Sequence, residues 1–238
     1  MENSKQEIIT RDIALKIKHK VYSPGEYLPS ENQLSELYGA ARNTVRKALE
    51  DLMDLGLIQK IKGKGSLVLD IQRYSFPVSG ITSFKELNQA LGMNAETKVL
   101  RLEELDKLPA NLSIEAVPAK KVFYLERLRL IDGEPAVLDR DYLLNPPVKS
   151  LPLAAAKNSI YAYLEDELGI KISYATKEIT VRKVDDYIAQ ALHLDHDKRA
   201  VLVFSKTYLE DTSLFQITAS YHNPDEFSFN DFARRRKI

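Results

Sequence analysis

Apolar residues recur at helical spacing three times near the N-terminus: Ile9, Ile13, Ile17 and Val21; then Leu34, Leu37 and Tyr38; then Val45, Ala48, Leu49, Leu52 and Leu55. A 3.6-residue period of this kind predicts three amphipathic helices. Ser23-Pro24-Gly25 is a turn signal that ends the first. Ser30 followed three residues later by Gln33 is a capping box, so the second helix starts at Glu31, and Gly39 supplies its left-handed C-cap. Gly56 ends the third. The period then changes: Leu57–Lys62 and Ser66–Asp70 are strand-like runs joined by Gly63-Lys64-Gly65, where glycine permits a tight reversal. Helix, turn, helix and ribbon in this order predict a winged helix-turn-helix.

The outward face of the third helix carries the chemistry. Asn43, Arg46 and Lys47 point away from the apolar stripe, flanked by Arg42 and Thr44, while Glu50 and Asp54 lie further along the same face. Carboxylates repel phosphate, so only the first turns can lie against DNA. An arginine fork suits this role because it pairs with the O6 and N7 edge of guanine or grips a phosphate with two hydrogen bonds. Lys60, Lys62 and Lys64 make the ribbon cationic. An ordinary solvated helix and a charged hairpin would explain each piece alone, but not their succession.

Beyond residue 80 the pattern is mixed. It predicts helices over Phe84–Leu91, Ile160–Leu168 and Asp186–Leu192, and strands over Lys121–Ile131, Ala136–Leu143, Ser173–Val184, Ala200–Leu209 and Leu214–His222, with a reversal at Asp132-Gly133. Long antiparallel strands with intervening helices make an α+β domain. The segment between Asp70 and Gly80 loses helical periodicity and holds Pro77 and Gly80. The expected organisation is therefore a winged helix-turn-helix over 1–70, a linker over 71–80 and a second domain over 81–238.

Composition narrows the partners. The 34 basic and 34 acidic residues cancel, so affinity for DNA has to come from local clustering; residues 42–64 hold six Lys or Arg against three Asp or Glu. That small excess suits a dimer reading two half-sites. The chain has no cysteine, no apolar run of membrane-spanning length and no apolar segment in its Met1-Glu2-Asn3-Ser4-Lys5 start, so a cytoplasmic protein without a membrane partner is expected.

Within the Lys121–Ile131 strand, Phe123, Leu125, Arg127 and Arg129 alternate onto one face. Facing a core, two close guanidiniums with no acidic residue on that side of the strand suggest a phosphate site. Facing solvent, with Leu128 and Leu130 inward, they need no ligand, and periodicity leaves both readings open. Thr82-Ser83 and Asn158-Ser159 each precede a helix whose N-terminus is suited either to an anion or simply to its own cap.

Residues 8–70 resemble the DNA-binding domain of GntR-family bacterial transcription regulators, on the Pro29-Ser30-Glu31 box, the Arg42-Asn43-Thr44-Val45-Arg46 helix start and the Gly63-Lys64-Gly65 wing. The resemblance implies that Arg42, Thr44, Arg46 and Gly65 touch double-stranded operator DNA, with Asn43, Lys47 and Lys64 beside them. The family usually has a serine where this chain has Ala41, so a cap worth ~1 kcal/mol is absent. Residues 81–238 resemble the UTRA effector domain of the HutC branch, which implies a chorismate-lyase-like fold that binds a small metabolite. Carried over from sugar-phosphate-responsive members, Ser83, Phe84, Lys85, Arg127, Arg129, Ser159 and Tyr161 would hold the phosphate. Asp139, Gln216 and His222 would read the sugar hydroxyls, with Gln216 and His222 standing where Glu and Tyr are often seen.

Three further signatures extend the likeness over nearly the whole chain: Phe76-Pro77-Val78-Ser79-Gly80, Ile172-Ser173-Tyr174-Ala175-Thr176-Lys177-Glu178-Ile179 and Asp211-Thr212-Ser213-Leu214-Phe215-Gln216. The resemblance, not the spacing of these residues, implies a repressor of a sugar-utilisation operon with trehalose 6-phosphate as effector, acting as a homodimer; an amino-sugar phosphate is the alternative.

Other classes are weaker. His193 and His196 lack companions at structural-zinc spacing, so no metal or cofactor is expected. Gly63-Lys64-Gly65-Ser66 is too short for a Walker loop, and no Gly-x-Ser-x-Gly elbow occurs. A DNA-tethered sugar-phosphate enzyme would need an acid and base pair that the sequence does not display, so no enzyme is expected. An architectural DNA binder would leave the second domain without a ligand. The basic Arg234-Arg235-Arg236-Lys237 tail reads as solvated.

Overall fold

The computed structural model describes residues 4–70, 80–109, 112 and 121–229. The chain divides into two compact units, one running to Met93 and including the tail from Phe227, the other spanning Asn94–Glu226. Residues 71–79 of the expected 71–80 linker, with all of its Phe76-to-Gly80 signature except Gly80, and the basic Arg234–Lys237 tail lie outside the described residues.

In the first unit, α1 (Lys5–Lys18), α2 (Glu31–Tyr38) and α3 (Arg42–Asp54) precede a hairpin of β1 (Ile58–Ile61) and β2 (Gly65–Val68). The Ser30/Gln33 box forms in both directions, and Gly39 closes α2 at φ 54°. Ala41 has the extended backbone of an N-cap but no side chain to make the bond. Ile9, Ile13, Ile17, Leu34, Val45, Leu49, Leu52 and Ile58 form one core. Two positions of the predicted stripes fall outside it. Val21 lies beyond the end of α1 and is exposed, and so is Leu37, because an eight-residue helix presents only one turn to the core and Leu34 takes that place. Helix α4 (Phe84–Leu91), capped by Ser83 and Gly92, adds Leu87 to the same core.

The second unit is a six-stranded antiparallel sheet in the order β3-β4-β5-β8-β7-β6, built from β3 (Ala95–Leu105), β4 (Lys121–Ile131), β5 (Glu134–Asn145), β6 (Ile172–Lys183), β7 (Arg199–Leu209) and β8 (Leu214–His222). The α+β expectation holds, with two elements added: the edge strand β3 and a short helix α5 (Leu153–Lys157). The predicted Ile160–Leu168 helix begins as α6 (Ile160–Ala162) and widens into a π turn over Tyr163–Glu167. Helices α5 and α6 and the π turn bury Ala155, Ala156, Ile160, Tyr163 and Leu164 against Leu125 and Leu143 of the sheet. A last helix, α7 (Asp186–Ala191), packs Ile188 on Leu138.

One irregularity decides which side chains share a face. The β4–β5 hairpin turns through Asp132 and Gly133, both at positive φ, and pairs Ile131 with Glu134 and Leu130 with Pro135; Arg129 then pairs with Val137. Ala136 is therefore a one-residue bulge. Because a slip of one residue exchanges the two faces of a strand, the bulge puts Asp139 opposite Arg127.

Candidate functional site

In the first unit the residues expected to face DNA are placed as follows. Arg42, Asn43, Arg46 and Lys47 are exposed on the first turns of α3, Thr44 is half-buried, and Lys64 and Gly65 are exposed at the wing tip. Gly63 and Gly65 sit at φ 78° and 108°, which explains glycine at both positions. An isolated bridge between Tyr27 and Leu67, with Leu28 N donating to Ser66 O, ties the wing to the segment before α2. One residue of this face was missed in the sequence. Glu31 Oε1 accepts from Lys60 Nζ at 2.8 Å and its Oε2 from Arg46 Nη2 at 3.4 Å. The bond from Lys60 holds the Glu31 carboxyl below the usual carboxylate range. Nothing in the sequence pairs positions 15 and 29 residues apart, so only its place in the capping box marked Glu31.

In the second unit the two strand arginines face the core; the solvent-facing alternative fails, since Arg127 and Arg129 are 6% and 3% exposed. The expectation of no acidic partner also fails, because the acids come from the neighbouring strand. Arg127 Nη2 donates to Asp141 Oδ2 at 2.6 Å. Arg129 Nε donates to Asp139 Oδ2 at 2.9 Å and its Nη1 to Thr97 Oγ1 at 2.6 Å. Gln216 Nε2 and Thr218 Oγ1 donate to Asp141 Oδ1, and Ser220 Oγ donates to Asp139 Oδ1. Asp141, Thr97, Thr218 and Ser220 were not singled out in the sequence, yet they complete a polar band from β3 across β4 and β5 to β8. Only Asp141 had a signal, the Asp139-x-Asp141 spacing that matches Arg127-x-Arg129.

The band is close to electroneutral, two guanidiniums against two carboxylates. Burial, with the like charge of Arg127, brings the Arg129 pKa down to about 10, so it stays charged at neutral pH. Burial opposes the Asp139 carboxylate, but the fields of Arg129 and Arg127 and the Ser220 hydroxyl outweigh it and hold its pKa below the usual value. His222 lies at the end of the band; burial pushes it down to about 4 against the pull of Asp139, so it is neutral. Among the described residues, Arg127 Nε and Gln216 Oε1 are buried without a hydrogen-bond partner in the protein, one donor and one acceptor on either side of Asp141. Leaving such groups unmet costs about 1–3 kcal/mol each, so a native network that does so calls for an explanation.

The remaining expected residues are distributed as follows. Ser159 is buried and caps α6, accepting from Ala162 N at 3.2 Å, and Tyr161 packs against the Leu125 and Leu143 cluster. Ser83, Phe84 and Lys85 begin α4 in the first unit, with the Ser83 hydroxyl accepting from Glu86 N. Both serines thus cap their own helices. His193 is exposed, with its Nδ1 3.9 Å from Glu134, and no group of three metal-binding side chains occurs among the described residues.

Comparison with known proteins agrees with both units. The model of bacterial regulatory proteins of the gntR family matches residues 5–68, and that of the UTRA domain matches residues 90–228. The HTH-type transcriptional regulator TreR of Bacillus subtilis is 44% identical with both chains covered in full, and the Escherichia coli repressor MngR is 26% identical over 95% of this chain and 96% of its own. The solved effector-binding domain of the B. subtilis trehalose repressor covers 60% of this chain and 99% of its own at 40% identity and a TM-score of 0.51. The possible transcriptional regulator YydK of B. subtilis covers 98% of this chain and 100% of its own at a TM-score of 0.71; its 22% identity speaks for the fold alone. With its winged helix-turn-helix followed by a UTRA domain, this chain belongs to the GntR family of bacterial transcription regulators, which act by binding DNA and not as enzymes.

Proposed function

We propose that this protein is a cytoplasmic, homodimeric repressor of a trehalose-utilisation operon, released from its operator by trehalose 6-phosphate. In this reading the winged helix-turn-helix ends near residue 70, a linker follows over 71–80, and the effector domain begins at residue 81, with its first helix α4 packed into the core of the first unit. The observation that carries the reading is the buried band from Thr97 to Gln216, whose unused donor and acceptor await a polyhydroxylated guest, in a chain 44% identical to TreR.

The band divides the work by charge. Arg127 and Arg129 are each matched by a carboxylate, so neither offers an uncompensated charge. A phosphate gains there by recruiting unused N–H groups such as Arg127 Nε, helped by the Ser159 and Tyr161 turn. Asp139, Gln216 and His222 supply acceptors and donors for sugar hydroxyls. Guest binding then shifts the dimer to a spacing of its two winged helices that no longer fits two half-sites. A coupling of about 1–3 kcal/mol changes operator occupancy 5- to 150-fold. Titration calorimetry of the full chain with trehalose 6-phosphate, trehalose and glucose 6-phosphate tests the ligand. Binding confined to the phosphorylated disaccharide supports the reading, and indifference to all three removes it.

A further inference from the structure

Glu31 joins two cations that belong to different DNA-reading elements. Arg46 comes from α3 and Lys60 from the first strand of the wing, and both donate to the same carboxylate. Glu31 is itself fixed at the first position of α2 by the Ser30/Gln33 capping box. Both cations are about half exposed, and exposed pairs contribute only about 0–1 kcal/mol to stability, so fold maintenance is a weak reason for the arrangement. On charge alone a carboxylate beside a phosphate-facing surface also weakens DNA binding. What Glu31 does supply is order: it limits the rotamers of two long, flexible side chains and sets helix and wing in register before DNA arrives.

We infer that Glu31 is a positioning residue for operator recognition, holding Arg46 and Lys60 in one arrangement so that sequence discrimination, not raw affinity, depends on it. The inference rests on the DNA-binding role of this unit and makes a prediction that charge alone does not. Removing a negative charge by Glu31→Gln raises or preserves affinity for any duplex, whereas removing a positioning device lowers the preference for the right one.

The test uses the full chain, the duplex it enriches from a randomised library, and a scrambled duplex of equal length, with binding followed by fluorescence anisotropy at one salt concentration. Glu31→Gln is expected to lower the ratio of specific to non-specific affinity about tenfold, within the range that one bidentate arginine–base pair supplies. Non-specific binding should be unchanged or tighter. Lys60→Met, an independent removal of one partner, should lower the same ratio, and in an Arg46→Ala background Glu31→Gln should change it no further. Thermal midpoints should be unaltered in all variants. Equal tightening on both duplexes, or a ratio that rises, overturns the inference. Failure of the parent chain to enrich any duplex would instead count against its DNA-binding role.

Discussion

Arg127 reaches diagonally across the β4–β5 ladder to Asp141, its Nη2 2.6 Å from Oδ2, although the residue directly opposite it is Asp139. The diagonal leaves Asp139 to Arg129 and lets each guanidinium keep its own carboxylate. Asp141 also receives Gln216 and Thr218 from β8, so one buried carboxylate links three strands. Removing one member of a buried ion pair leaves the other without compensation, at a cost of about 3–5 kcal/mol. Asp141→Ala and Arg127→Met are each expected to lower the free energy of unfolding in urea by that order, since either leaves one buried charge without its partner. Equal, small effects in both variants would show that the pair is not held in the folded state.

A second prediction concerns pH. The His222 pKa lies at about 4, against an ordinary value of 6.5, chiefly because the ring is buried. Between these values the unfolded chain binds the proton and the folded one does not, so stability is lost as pH falls from about 6.5 and the loss levels off near 4. The full effect is ~3 kcal/mol. Asp139, with its pKa below 3.8, adds a further loss only in a more acidic range. His222→Gln should flatten the stability profile between pH 6.5 and 4, which chemical denaturation at a series of pH values measures. An unchanged slope would mean that His222 is not the titrating group.

The missing cap offers a gain of function by one hydroxyl. Ala41 has φ −63° and ψ 145°, the backbone of an N-cap, but no side chain to accept from the free amides of α3. Ala41→Ser should stabilise the first unit by ~1 kcal/mol. Differential scanning calorimetry reads this as a raised midpoint, and a lowered midpoint would mean that the hydroxyl finds no amide.

The two faces should separate by mutation. Arg46→Ala is expected to weaken operator binding by about 1–3 kcal/mol while leaving effector affinity unchanged. Gln216→Ala, at the buried unmet acceptor, should weaken effector binding while leaving operator affinity in the absence of effector as it was. Anisotropy and calorimetry on the same preparations check both. Loss of both activities in either variant would contradict a division into two sites.

Much of this was legible in the sequence, for local reasons. Ser30 with Gln33, Gly39, Gly56 and the two glycines of the wing are signals read within a few residues, and each stands where it was expected. Strand β3 was not legible: Glu96, Lys98, Arg101, Glu103 and Glu104 give an edge strand the composition of a loop, and it needs apolar residues on only one side. Val21 and Leu37 looked like core because periodicity continues past the point where a helix stops being covered. Asp141 was missed for a different reason. An ideal hairpin turning at Asp132-Gly133 would place Asp139 and Asp141 opposite Glu126 and Tyr124, on the far side of the sheet; the bulge at Ala136 brings them round to the arginines. Register is a property of two strands together, and one extra residue changes it without leaving a mark on either.

The most direct measurement is operator release. The full chain is bound to its enriched duplex and titrated with trehalose 6-phosphate, trehalose and glucose 6-phosphate, with anisotropy as the readout. Release by trehalose 6-phosphate alone, at concentrations matching its calorimetric affinity and shifted upward by Gln216→Ala, is the predicted result. Unchanged operator occupancy at saturating trehalose 6-phosphate would contradict the account.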